Sequence, residues 1–155
     1  MPRIEVINLN KRYRINGRFI KKIASDVLKF IKKLKTADIE IVFLDDKAIT
    51  AINKRYKRRR RPTDVLSFKI DRSEFAPRPF LGEILISSER AFKNAGVFGT
   101  DFEEEIALYV IHGILHLFGY NDESPKDRLL MDKKEKEALR FLCRKEDLSK
   151  VLIPR

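Results

Sequence analysis

The chain has one cysteine, no tryptophan, no glutamine and only two histidines among its 155 residues. The single thiol, Cys143, cannot close an internal disulfide, so nothing here calls for an oxidising compartment. No apolar run approaches the roughly 18–20 residues that a membrane-spanning helix needs. The opening stretch, MPRIEVINLNKRYR, lacks the basic–apolar–small order of a secretory signal. There is no internal repeat and no compositional break. The expectation is a cytoplasmic protein with no membrane partner, folded as a single domain over residues 1–155.

Positive charge is in excess. Lysine and arginine number 34 against 23 acidic residues, a formal net charge of +11. Such a balance favours a polyanionic partner, nucleic acid ahead of an anionic membrane. A Lys-, Arg- and Glu-rich composition is also that of heat-adapted proteins, so the placement of charge says more than its amount. The run 54-KRYKRRRR-61 puts seven cations in eight residues, with Tyr56 interleaved. Charge runs are usually solvated loops. This one stops at Pro62, just before a predicted strand, and reads as a phosphate-binding rim. Arg55, Lys57, Arg58, Arg59, Arg60 and Arg61 would neutralise nucleic-acid phosphates, and Tyr56 would stack on a base.

Periodicity predicts the order β-α-β-α-β-β-α-α-α. Strands are expected at 3–9, 38–45, 64–70 and 82–87, where β-branched and aromatic residues cluster or alternate. Helices are expected at 16–34, 47–56, from Ser87 or Ser88 to about Gly96, at 100–119 and from Ser124 to about 143. Asp45 or Asp46 would cap the second of these. Thr100 with Glu103, or Asp101 with Glu104, fits a capping box, and Ser124-Pro125 is a strong helix start. The last helix would bury Leu129, Leu130, Ala138, Leu139 and Leu142. The first β-α-β unit implies a parallel pair, and the short link between strands three and four an antiparallel one. The fold class is therefore α/β (α+β), a mixed four-stranded sheet with about five helices. A polar loop should span 71–80.

Both histidines sit in 110-VIHGILHLFGYND-122, within the helix that is apolar nearly all round. Residues four apart share a helical face, so His112 and His116 can aim two imidazoles at one metal ion. Against the elongated zincin pattern H-E-x-x-H-x-x-G-x-x-H, residues 112–122 match at both histidines and at Gly119. The third-ligand position holds Asp122, a competent zinc ligand through a carboxylate oxygen. Glu123 and Asp127 are the alternatives at that position. The position of the catalytic glutamate holds Gly113, so peptidase chemistry lacks its base. Two histidines and a carboxylate also suit non-haem iron.

Three ordered blocks, 53-NKRYKRRRRPTDVLSF-68, 81-LGEILIS-87 and 112-HGILHLFGYND-122, resemble the YbeY family of metal-dependent endoribonucleases, the rRNA maturation factors. The resemblance spans roughly residues 38–143. It implies a mixed sheet with surrounding helices and a zincin-like metal-binding helix. It implies one zinc ion, with another divalent metal as the alternative, held by His112, His116 and Asp122, the last standing where the family usually has histidine. Lys57 stands where the family has a functional arginine; it keeps the charge and loses the planar fork. Lys57 and His112 are thus the expected catalytic residues. The implied substrate is single-stranded RNA, an rRNA precursor, with the small ribosomal subunit as partner. Ser67 and Phe68 are candidates to line the cleft. The rival readings are a non-catalytic RNA-binding assembly factor with a structural metal, a zinc peptidase-like hydrolase, which Gly113 disfavours, and an iron oxygenase.

Overall fold

The computed structural model describes residues 3–33, 38–57, 65–69 and 80–154. Among these residues four stretches form one sheet: β1 (Ile4–Asn8), β2 (Asp38–Leu44), β3 (Val65–Lys69) and β4 (Phe80–Ser87). The order across the sheet is β1-β2-β4-β3. β1 and β2 pair in parallel, Ile4 opposite Ile39 through Asn8 opposite Phe43. β2 and β4 are also parallel, whereas β3 and β4 are antiparallel, Val65 opposite Ile86. Both expected pairings are present. The mixed sheet arises because β4 slots between β2 and β3.

Among the described residues five α-helices surround it: α1 (Gly17–Phe30), α2 (Asp46–Lys57), α3 (Ser88–Phe98), α4 (Phe102–Leu117) and α5 (Pro125–Lys145). A 3₁₀ turn at Leu148–Val151, absent from the sequence reading, follows α5. The caps are chemical. Asn16 accepts from the Phe19 N–H, Asp45 from Ala48, Ser87 from Arg90 and Ser124 from Asp127. These satisfy backbone donors that the first turn leaves unpaired. At α4 the expected capping box does not form. Asp101 is the cap residue without a side-chain bond, and Thr100 instead donates to Glu105.

Helix ends depart from expectation for local reasons. α1 stops at Phe30 rather than residue 34, because Lys32 turns left-handed (φ 60°) while the Lys32 and Lys33 N–H groups bond back to Lys29 and Leu28. α3 runs through Gly96 and stops before Gly99, whose φ of 68° no longer fits a helix. In α5, Leu129 and Leu130 are exposed, and Met131, Ala138 and Leu142 are the buried positions.

Strand alternation splits the core in two. Ile39, Ile41, Phe43, Ile84 and Ile86 face α1 and α4, with α5 behind, and make the larger cluster. Val42, Leu44, Leu66 and Leu85 face the other way, against Ile49 of α2. α4 is the central helix: Ile106, Ala107, Val110, Ile111, Ile114 and Leu115 are fully buried. Among the described residues no helix is long and apolar enough to cross a membrane.

Candidate metal centre

Glycine lines the contact between α4 and the sheet. A Cβ on Gly113 would stand 2.5 Å from Cγ2 of Ile84, and one on Gly82 would stand 2.6 Å from Cδ2 of Leu117 and 2.3 Å from the Phe68 carbonyl oxygen. The Ser67 hydroxyl ties β3 to α4 by donating to the Gly113 carbonyl, 3.0 Å. With that face pressed on strands, the helix leaves one stripe partly open at 108, 112 and 116. Two of these three positions are the histidines, whose ring centroids lie 4.5 Å apart, 68° from coplanar.

The chain then folds back. The Gly119 N–H bonds to the His116 carbonyl and the Tyr120 N–H to the Leu115 carbonyl, with Gly119 at φ 95°. This is a left-handed glycine cap. Beyond it, Asn121 accepts from the Glu123 N–H and Arg128 donates to the Asp122 carbonyl. The exposed Asp122 is thereby carried to the histidines. Ligand atoms of His112, His116 and Asp122 all lie within 4.8 Å of one another. Ligand atoms about 2.1 Å from a tetrahedral zinc lie about 3.4 Å apart, so the three side chains stand near enough to converge on one ion by drawing inward. Two imidazoles and a carboxylate therefore fit one divalent cation. The other carboxylates considered are not in this group. Glu123 is exposed, and Asp127 lines a neighbouring cavity of about 320 Å³ with Phe118, Tyr120 and Leu130.

A fourth side chain reaches the histidines, and the sequence reading missed it. Glu135, from α5, takes the Nδ1 side of His112, its side chain 14% exposed. Its signal was present. Glu135 falls in register with Met131, Ala138 and Leu142, the buried stripe of α5, where a charged residue is out of place without a partner.

A profile of the family described as Endoribonuclease YbeY matches residues 5–142. The chain belongs to the YbeY family. An Endoribonuclease YbeY of Petrotoga mobilis is 42% identical over 125 residues, covering 81% of this chain and 84% of that one. Another, of Syntrophus aciditrophicus, is 34% identical over 143 residues, covering 90% and 89%. A Thermotoga maritima protein of known solution structure superposes with a TM-score of 0.63 at 25% identity, covering 92% of this chain and 90% of that chain. The YbeY resemblance read from three motifs is thus the family shown over residues 5–142.

The basic segment is placed only in part. Lys57 is the last residue of α2, and Arg55 is exposed one half-turn before it. Arg58, Arg59, Arg60 and Arg61 lie outside the described residues, as do Pro62 and most of the loop expected at 71–80; Phe80 opens β4 instead. The two strand residues expected at the cleft separate by alternation. Ser67 faces α4, and Phe68 packs on the opposite side with the α2 cluster.

Proposed function

We propose that this chain is a metal-dependent endoribonuclease that cuts single-stranded RNA during maturation of ribosomal RNA. The observation that carries it is the convergence of His112, His116 and Asp122 in a chain of the YbeY family. Residues 1–155 act together as one YbeY-like domain. A cytoplasmic location and a precursor of the small ribosomal subunit's RNA as substrate follow from the same reading.

One zinc ion is the cofactor best matched to the donor set, and another divalent metal is the alternative. When bound, it supplies Lewis acidity toward a phosphoryl oxygen. His112 and His116 present neutral nitrogen donors from one rigid helix face. Asp122 adds a negative donor where a third histidine would be neutral, which tempers that acidity. Lys57 and the arginines at 58–61, with Arg55, hold the RNA phosphates and offset negative charge that develops during cleavage, while Tyr56 offers a stacking surface. Peptidase chemistry is unsupported, since position 113 is pressed on Ile84 and has no room for a glutamate.

The test is cleavage of a single-stranded RNA by the wild-type protein, by His112→Ala and by metal-stripped protein, with bound metal measured in each. Loss of cleavage in the latter two, and its return on adding zinc to stripped wild type, is expected. Equal cleavage in all three refutes the metal-dependent reading. Elemental analysis of Asp122→Ala should show less bound metal; unchanged content removes Asp122 from the ligand set.

A further inference from the structure

We infer that Glu135 is a positioning residue for the metal centre: by accepting from the Nδ1–H of His112 it turns Nε2 toward the site and holds it there. The inference rests on the metal-binding reading of His112, His116 and Asp122.

Two observations support it. First, the contact joins Oε1 of Glu135 to Nδ1 of His112, which occupies one ring nitrogen and leaves only the other for a cation. A ligating histidine usually donates its second N–H to a carboxylate or carbonyl, which sets the tautomer and makes the ligand more basic. Second, the carboxylate is not a surface group that wandered in. Glu135 lies in the Met131–Ala138–Leu142 stripe that α5 presents to the core, and its side chain is 14% exposed while that of His112 is 28% exposed. A charged residue in such a stripe needs a specific partner, and His112 is that partner. The fold thus supplies two carboxylates, one as a candidate ligand and one behind a candidate ligand.

Geometry also gives Glu135 a route of action. His112 belongs to α4 and Glu135 to α5, whose first turn follows Asp122 by three residues. The segment from Gly119 onward therefore delivers both carboxylates to the histidine face, Asp122 directly and Glu135 after nearly three helical turns.

The experiment measures zinc affinity by competition with a chromophoric chelator for wild type, Glu135→Ala and Glu135→Gln, and the visible spectrum of each with cobalt in place of zinc. Loss of an outer-shell partner typically weakens metal binding by about 10–100-fold, and Glu135→Ala should fall in that range. Glu135→Gln keeps an oxygen acceptor and should lie closer to wild type, with a wild-type cobalt spectrum. Affinity and spectrum unchanged in Glu135→Ala overturn the inference. So does a glutamine variant as impaired as the alanine one, which would make the charge itself, or direct coordination, the role of Glu135. One further measurement needs no variant. In the ¹¹³Cd-loaded wild-type protein, cadmium coupling should reach ¹⁵Nε2 of His112; coupling to Nδ1 overturns the assignment. If wild type binds no metal, the underlying reading fails as well. If it binds metal normally and only the Glu135 results disagree, the failure is confined to Glu135.

Discussion

Gly113→Ala tests the central packing claim. A Cβ at this position lies 2.5 Å from Cγ2 of Ile84, 3.2 Å from its Cδ1 and 3.3 Å from its Cγ1. Carbon atoms pack best at about 3.5–4.0 Å, so helix and strand have to part by about 1 Å. Ile84 is fully buried and β-branched, with χ1 held stiffly, so it cannot swing away. Two terms oppose each other. Alanine in place of glycine stabilises a helix interior by about 1 kcal/mol. Overpacking a closed core costs about 1–3 kcal/mol. With contacts this short the steric term wins, and a net loss of about 1–2 kcal/mol is expected in urea denaturation. Ile84→Ala alone should cost about 2–5 kcal/mol, but it removes all three clashing atoms. In that background Gly113→Ala should turn stabilising by up to about 1 kcal/mol. The cycle then shows a coupling of about 2 kcal/mol, within the range for residues in contact. A Gly113→Ala protein as stable as wild type, or a cycle without coupling, refutes the reasoning. By the same contact, Gly113→Glu should lose more stability still and gain no proteolytic activity.

Two further outcomes concern ionisable groups away from the histidines. Glu83 faces Glu40 across the parallel β2–β4 pair, and burial first, then the Glu40 charge, pushes its carboxyl pKa up. The folded chain therefore keeps this proton to higher pH than the unfolded chain, and stability falls as pH rises through the folded value. Glu83→Gln should raise the melting temperature at pH 7, by a stabilisation of about 0.5 kcal/mol after solvent screening, and leave it unchanged near pH 3. No gain at pH 7 counts against the repulsion. For Cys143, desolvation and then the charge of Glu104 push the thiol up, so its reactive thiolate is scarcer at pH 8 than in a free thiol. Alkylation by iodoacetamide should be slower than that of glutathione and faster in Glu104→Gln; equal rates in wild type and variant would rule out the Glu104 contribution.

Much of this site was legible in the chain because its elements are local. His112 and His116 need only a helix to share a face, and Gly119 and Ser124-Pro125 mark where that helix ends and the next begins. Asp122 followed from counting residues past Gly119. Other features were not legible, because their causes are distant in sequence. Leu129 and Leu130 are apolar and were expected in the core, yet α5 turns them outward and buries Met131 instead. Lys32 adopts a left-handed conformation that the sequence around it does not announce. Gly113 could be read only as a missing base until Ile84 was seen beneath it.

The sequence by itself determined the family, the strand and helix order, the two parallel or antiparallel pairings within neighbouring elements, and a histidine pair awaiting a carboxylate. Periodicity, capping and motif spacing act over a few residues, so a linear reading captures them. Only the tertiary structure decided that β4 enters between β2 and β3, that Gly82 and Gly113 let α4 close on the sheet, and that Glu135 of α5 stands behind His112. Each of these depends on which surfaces meet, and close packing between remote segments is what selects them.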